Sequence, residues 1–148
     1  MNIRLAKQKD IPVLVRIVRN NYSQDYAFRS RKELLAMFYN KAFQPQYIVA
    51  EKDKNIVGFG GYVQSPMDYS IYEIFWVNIK QGFQRQGIGT VIVRHLLRKI
   101  QKMKGKDKAR MVVLTTRSPA FYKKFGFKTA CRLKSREGNS YFMSLPIR

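Results

Sequence analysis

The stretch Phe83-Gln84-Arg85-Gln86-Gly87-Ile88-Gly89-Thr90 joins a predicted strand to a predicted helix. Before it, residues 70–79 are dense in Ile, Tyr, Phe, Trp and Val, which favour strands. After it, aliphatic residues recur every four positions on one helix face: Ile88, Ile92, Leu96 and Ile100. Glycines at such a turn let backbone N–H groups approach an anion at the helix N-terminus. We therefore expect a diphosphate group to bind there.

Two better-known phosphate motifs do not fit this stretch. The dinucleotide fingerprint requires a third glycine where Ile92 stands, and the P-loop requires Gly-Lys followed by Ser or Thr. Residues 80–110 contain ten Lys or Arg and only Asp107 as an acid, which suits a ligand with several phosphates. A tight strand-to-helix turn that binds no ligand is the alternative.

The first forty residues predict a strand and two amphipathic helices. The strand covers residues 2–6, and Asp10 is expected to cap a helix that begins at Ile11. Ser30 and Glu33 form a capping-box pattern, which predicts the start of the second helix.

Strand patterns recur along the rest of the chain, at 47–50, 56–59, 70–79, 111–115, 127–134 and 140–145. Turn residues at 53–55 and 136–139 predict hairpins, while Ser118 and Gly126 bound a short helix. The fold class is therefore α/β (α+β), a mixed, mostly antiparallel sheet flanked by helices. Its predicted order is β-α-α-β-β-β-α-β-α-β-β.

The composition fits a single basic globular domain over residues 1–148. Hydrophobic residues make up 45% of the 148, enough for one continuous core. With 29 Lys and Arg against 9 Asp and Glu, the net charge of +20 would attract anions, although a generally soluble surface explains it equally well. No apolar run is long enough to span a bilayer and no signal peptide is visible, so we expect a cytoplasmic protein without a membrane partner.

Two motifs resemble the signatures of the GNAT superfamily of N-acetyltransferases. Gln84-Arg85-Gln86-Gly87-Ile88-Gly89 fits its Q/R-x-x-G-x-G/A pattern, and Phe121-Tyr122-Lys123-Lys124-Phe125-Gly126-Phe127 fits the end of its short aromatic helix. Their order and spacing also match, and the resemblance extends over essentially the whole chain. It implies an enzyme that moves the acetyl group of acetyl-CoA, its co-substrate, onto a primary amine by direct transfer.

The resemblance also implies which residues bind acetyl-CoA. The turn and the first helical turn would hold the pyrophosphate: Gln84, Arg85, Gln86, Gly87, Ile88, Gly89 and Thr90. The preceding strand end, Val77-Asn78-Ile79, would offer backbone groups to pantetheine and polarise the acetyl carbonyl. No His or Cys cluster is present, so no metal site is expected.

Glu73 is the candidate proton acceptor. A primary amine is protonated at neutral pH and must lose a proton before it attacks a thioester. Glu73 lies within the predicted strand 70–79, where alternation places it on the same face as Phe75, Val77 and Ile79. In several GNAT enzymes a glutamate fourteen residues before the first motif glycine is the base, and Glu73 has that spacing from Gly87. A solvated or arginine-paired glutamate at the sheet rim is the alternative.

Tyr122 is the candidate proton donor to the leaving thiolate. A neutral phenol can protonate a thiolate whose basicity is that of cysteine. Phe121 and Phe125 share one face of the short helix, so Tyr122 is turned about 100° from them. In the family that the chain resembles, this tyrosine points at the CoA sulfur. An ordinary ring at the core margin is the alternative.

The acceptor amine is not identified by any motif. A small molecule or a peptide fits the chemistry, and the charge of +20 favours an anionic acceptor over a polycation. A basic binder of nucleic acid or ribosomes that keeps the fold without turnover is the alternative function. Homodimers are common among proteins that resemble this one, and the resemblance is therefore compatible with a homodimer.

Overall fold

A seven-stranded sheet forms the centre of the computed structural model, which describes residues 1–148. The strands are β1 Asn2–Leu5, β2 Gln46–Lys52, β3 Asn55–Gln64, β4 Ile71–Ile79, β5 Met111–Thr116, β6 Lys128–Ser135 and β7 Gly138–Pro146. The α-helices are α1 Ile11–Asn21, α2 Gln24–Tyr39, α3 Ile88–Gln101 and α4 Pro119–Lys123. Their order confirms the predicted succession of strands and helices.

The sheet has the strand order β1-β2-β3-β4-β5-β7-β6. Five of its strand pairs are antiparallel, and β4 and β5 form the one parallel pair. Helix α3 connects these two parallel strands, as a crossover between parallel neighbours requires. The predicted mixed, mostly antiparallel fold class is confirmed.

Helices cover both faces of the sheet and create two apolar cores. On one face, α3 buries the aliphatic residues of its predicted stripe against β2, β3 and β4. On the other face, α1 and α2 pack against Tyr47, Val49 and Phe59. Alternating residues of β2 thus enter different cores, because successive side chains of a strand point to opposite faces.

The structure corrects the expected cap of α1. Asp10 precedes the helix, but its carboxylate accepts from the backbone N–H of Lys7 at 2.7 Å and from Arg4 at 2.7 and 3.1 Å. A short 3₁₀ turn, Gln8–Asp10, lies just before α1, and Asp10 caps that turn instead of α1. Burial raises the pKa of Asp10, but the hydrogen bonds from Arg4 and Lys7 outweigh burial and leave this pKa below its usual value.

The predicted start of α2 at Ser30 and Glu33 is wrong. The helix begins at Gln24, and the hydroxyl of Ser23 accepts from the backbone N–H of Tyr26 at 3.2 Å. Ser30 is buried in mid-helix, where its hydroxyl donates to the carbonyl of Ala27 at 2.8 Å. A serine that bonds back to its own helix in this way is compatible with the helix interior.

The turns agree closely with the sequence. Asp53 and Lys54 adopt positive φ of 51° and 66°, the conformation of a two-residue hairpin between β2 and β3. The hairpin between β6 and β7 is tighter than predicted, because only residues 136–137 lie outside the strands. Gly126 ends the short helix region with φ of 100°, although the Ser118 side chain makes no capping bond to α4.

Candidate active site

A cleft opens where β4 and β5 separate. The two strands pair only from Ile71↔Met111 to Glu73↔Val113, although both continue for several residues beyond this point. The space between them has a volume of about 1180 Å³ and extends from the start of α3 to α2 and the β6–β7 turn. One strand edge, a helix N-terminus and the short helix α4 therefore surround a single cavity.

A β-bulge in β4 shapes the cleft. Phe75 pairs with Gly61 and Asn78 with Phe59, so β4 has one more residue than β3 between these pairs. Trp76 lies in this bulge with φ of 53°, in the left-handed region that non-glycine residues rarely adopt. An inserted residue reverses the alternation of side chains beyond it.

The bulge overturns the expectation that Glu73, Phe75, Val77 and Ile79 share a face. Glu73 pairs with Val63 and lies on the face of Phe75, which packs with the α1–α2 core. Val77 and Ile79 instead pack with the α3 core on the other face. Odd-numbered residues of β4 therefore face α1 and α2 before the bulge, and odd-numbered residues after the bulge face α3.

The end of β4 is held in place by α1. Asn78 is buried, and its side-chain oxygen accepts from Asn21 at 3.1 Å, while the Ile79 carbonyl accepts from the same amide group at 2.8 Å. From Ile74 onward β4 has no partner on its β5 side, so that edge of the backbone faces the cleft. Val77, Asn78 and Ile79 all line the cavity, as expected.

The turn before α3 presents free backbone donors to the cleft. None of the backbone N–H groups from Gln84 to Thr90 donates to an acceptor within the chain. Arg85 and Gly87 have positive φ of 63° and 83°, and no other atom lies within 4 Å of the position that a Cβ of Gly87 would occupy. These N–H groups and the positive end of the α3 dipole make this turn an anion-binding geometry.

Gly89 differs from Gly87 in what it permits. A Cβ at Gly89 would lie 3.2 Å from Cζ of Phe121, so this glycine lets α4 pack closely on α3. The ammonium of Lys124 donates to Thr90 Oγ1 at 2.6 Å and joins the same two helices. Arg85 and Lys124 both line the cavity and place positive charge next to the free N–H groups.

Tyr122 lines the cleft from the side of α4. Its ring packs at right angles to Phe121, with 4.9 Å between ring centroids, and against Phe127 at 5.9 Å. Its hydroxyl has no hydrogen-bond partner within the chain, and burial, with a smaller effect of Tyr22, raises its pKa above the usual value. The phenol is therefore neutral at physiological pH and can donate a proton.

Glu73 lies at the fork where β4 and β5 part. It is the last residue of β4 that pairs with β5, it is half-buried, and it makes no ion pair or side-chain hydrogen bond. It is not among the residues that line the cleft. The structure thus brings most of the turn 84–90, the end of β4 and Tyr122 to one cavity, although Gln86 and Ile88 do not line it. Glu73 lies beyond the closed end of this cavity.

Sequence reasoning missed the residues at the α2 end of the cleft. Glu137 of the β6–β7 turn accepts from the Tyr26 hydroxyl and pairs with Arg117 at 3.1 Å. The Tyr26 ring lies 6.4 Å from Trp76, whose indole N–H donates to Glu33 at 2.7 Å. Tyr26 and Glu33 lie on α2, whereas the other three residues come from β4, the β5–α4 loop and the β6–β7 turn, and no motif relates the five in the sequence.

Neither a cluster of metal-ligating side chains nor a membrane-spanning helix is found. No group of three or more His, Cys, Asp or Glu side chains is arranged to hold a metal ion. None of the helices combines the length and the apolar character needed to cross a bilayer.

The chain matches a known enzyme family over the segment that forms most of this site. The acetyltransferase (GNAT) domain family matches residues 44–129, which include β2 to β5, the turn 84–90 and α4. The chain belongs to the GNAT acetyltransferase family. It is an N-acetyltransferase, which confirms the enzyme class expected from the two motifs.

Similar proteins agree with this assignment. The N-alpha-acetyltransferase of Sulfurisphaera tokodaii is 24% identical over 159 residues, which cover 98% of this chain and 92% of that protein. An aminoglycoside 6'-N-acetyltransferase complexed with coenzyme A has a TM-score of 0.82 at 16% identity, covering 100% and 98% of the two chains. The ribosomal-protein-alanine N-acetyltransferase of Brucella melitensis has a TM-score of 0.79 at 19% identity, covering 99% and 100%.

Proposed function

We propose that this enzyme transfers the acetyl group of acetyl-CoA to the α-amine of a polypeptide. The run of free N–H groups from Gln84 to Thr90, in one cavity with the Tyr122 hydroxyl, is the observation that carries the proposal. The relatives that are named N-alpha-acetyltransferases support a polypeptide acceptor. A small-molecule amine is the competing acceptor within the same chemistry.

The residues of the cleft suit the separate parts of acetyl-CoA. The N–H groups of the turn, with Arg85 and Lys124, are donors for a pyrophosphate. The edge of β4 beyond Ile74 has backbone groups available for the amides of pantetheine. A thioester bound along this edge would extend towards Tyr122, which lines the same cavity.

The transfer needs two proton movements. The ammonium of the acceptor first gives up one proton to become a nucleophile, and we assign this proton to Glu73. Because Glu73 does not line the cleft, water at the fork of β4 and β5 would relay the proton. The amine nitrogen then attacks the carbonyl carbon, so that a C–N bond forms and the C–S bond breaks.

Tyr122 supplies the proton that the leaving sulfur requires. Its hydroxyl is free of protein partners and its raised pKa keeps it protonated. The second proton leaves the nitrogen as the C–S bond breaks, and it passes through water to the Tyr122 phenolate, which restores the phenol that protonated sulfur. The products are an N-acetylated amine and free CoA thiol, with no covalent enzyme intermediate.

Thiol release tests the proposal directly. Acetyl-CoA is incubated with the enzyme and with a panel of peptides that have free N-termini, amino acids, aminoglycosides and polyamines. We expect thiol release with peptides and a mass increase of one acetyl group at the N-terminus. Thiol release with small amines alone would show that the acceptor is a small molecule and not a polypeptide. The absence of thiol release with every amine would contradict the proposed function.

A further inference from the structure

A second concave surface lies between α1 and α2, separate from the cleft. It has a volume of about 410 Å³, and Ile11, Val15 and Leu35 form apolar parts of its wall. Three arginines line it, Arg16 and Arg19 from α1 and Arg31 from α2. We call this surface the arginine groove.

The guanidinium groups of the arginine groove are uncommitted. The chain forms three ion pairs, and these use Arg4 twice and Arg117 once. Arg16, Arg19 and Arg31 are exposed, and none makes a side-chain hydrogen bond within the protein. Like charges that share a groove repel one another, and an anion bound between them removes that repulsion. The planar guanidinium favours carboxylate or phosphate as that anion.

The arginine groove continues towards the cleft along one face of α1. Pro12, Arg16 and Arg19 lie three or four positions apart, and the next position of this series is Tyr22, which lines the cleft. At a rise of 1.5 Å per residue, the path from Pro12 to Tyr22 is about 15 Å long. An extended peptide covers this distance in about five residues.

We propose that the arginine groove binds acidic residues at about positions four to six of the acceptor polypeptide, where the acetylated residue is position one. This inference rests on the proposed function, because it takes the reactive amine to lie in the cleft. The net charge of +20 draws an acidic chain towards the enzyme, and the arginines select carboxylates at a fixed distance from the amine. The enzyme therefore reads acceptor sequence well beyond the first residue.

An acidic peptide fits this surface better than RNA does. No aromatic side chain lines the arginine groove, so it has no platform on which bases could stack. Its length matches a few peptide residues, and its apolar wall suits the aliphatic stems of glutamates.

The test compares two peptides and three proteins. The peptides share a free N-terminus and their first three residues, and carry either three glutamates or three glutamines at positions four to six. The proteins are the wild type, the groove variant Arg16→Glu/Arg31→Glu, and the control Lys104→Glu/Lys106→Glu. The control lowers the net charge equally at exposed sites near the C-terminal end of α3.

We expect wild type to prefer the glutamate peptide about tenfold in kcat/KM at low salt, mainly through KM. This preference should fall below about twofold in the groove variant and persist in the control. Equal use of both peptides by wild type, or a preference that survives in the groove variant, would overturn the proposal. Circular dichroism on all three proteins establishes that they are folded.

Binding without turnover separates this proposal from the proposed function. If no peptide supports thiol release, the proposed function fails, and fluorescence anisotropy of the labelled glutamate peptide still tests the arginine groove. Weaker binding in the groove variant alone supports the proposal, while equal weakening in the control contradicts it. A labelled twelve-nucleotide RNA that binds more tightly than the peptide at 150 mM salt, and is lost only in the groove variant, would make the surface a nucleic-acid site instead.

Discussion

The carboxylate of Glu137, in the turn between β6 and β7, accepts a hydrogen bond from the Tyr26 hydroxyl on α2. Arg117 pairs with the same carboxylate at 3.1 Å, so the turn is tied both to α2 and to the β5–α4 loop. The Glu137 bond also raises the pKa of Tyr26, because ionisation would place two negative charges side by side. This contact links the hairpin of the last two strands to α2, at the end of the cleft away from the turn 84–90, where we propose that the acceptor binds.

Loss of the Tyr26–Glu137 bond should weaken acceptor binding. Tyr26→Phe keeps the ring beside Trp76 but removes the hydroxyl, so the β6–β7 turn loses one of its two attachments. We expect the KM for the peptide to rise about fivefold, with the KM for acetyl-CoA changed less than about twofold. Tyr39→Phe is the matched control, since it removes a hydroxyl at the other end of α2, where that hydroxyl accepts from the Gln8 side chain. Equal effects on both substrates would contradict this role.

Removal of the Tyr122 hydroxyl should slow the chemical step. Tyr122→Phe preserves the packing against Phe121 and Phe127, so the fold should be kept while kcat falls about 100-fold. Because burial raises the pKa of Tyr122, wild-type activity should show no alkaline loss from this group below about pH 10. Tyr62→Phe, which removes another buried phenol, is the control and should keep its activity. A Tyr122→Phe enzyme within about twofold of wild type would rule out the proton-donor role.

Neutralising Glu73 should produce a defect that depends on pH. Glu73→Gln removes the proposed proton acceptor, and we expect kcat/KM to fall about 100-fold at pH 7. The defect should shrink above about pH 8, where an α-amine loses its proton without help. Glu33→Gln tests the other carboxylate near β4, which accepts from Trp76. A loss that follows Glu33→Gln while Glu73→Gln stays active would move the proton acceptor to α2.

Gly87 should matter for acetyl-CoA beyond its effect on stability. Gly87→Ala and Gly82→Ala both force a side chain into positive φ, at 83° and 89°, with no atom within 4 Å of either Cβ position. Each should lower the free energy of unfolding by about 1 kcal/mol. Gly87→Ala alone should also raise the KM for acetyl-CoA, by about tenfold, because its methyl group would occupy the open space through which a diphosphate approaches the free N–H groups. Equal KM values for acetyl-CoA in the two variants would contradict a role of this turn in acetyl-CoA binding.

Local patterns in the sequence predicted most of the fold. The four-residue repeat of α3, the turn at Asp53 and Lys54, and the glycine turn at Gly87 are each encoded within a few residues of one another. The bulge at Trp76 was not predictable in this way, because it depends on how β4 pairs with β3. The extra residue in the bulge moves Val77 and Ile79 to the opposite face of the sheet. Strict alternation counted from Glu73 therefore gives the wrong face for every residue beyond the bulge.

The same distinction between local and long-range contacts separates the site residues that the sequence predicted from those that it did not. The turn 84–90 and Tyr122 belong to contiguous motifs, and the structure places both on one cleft. Glu137 and Arg117 come together only through the pairing of β5 with β7 and the β6–β7 hairpin. The Ser23 cap of α2 was missed because Tyr26 stands where a capping box needs Glu or Gln, whereas Ser30 and Glu33 complete that pattern seven residues later.

The central claim is that the backbone N–H groups between Gln84 and Thr90 bind the pyrophosphate of acetyl-CoA. An NMR titration of the ¹⁵N-labelled 148-residue chain with CoA observes these amides one by one. We predict that the resonances of residues 84–90 shift the most and saturate at one CoA per chain. Saturable shifts that leave these residues unchanged, or no shifts at all, would contradict the account.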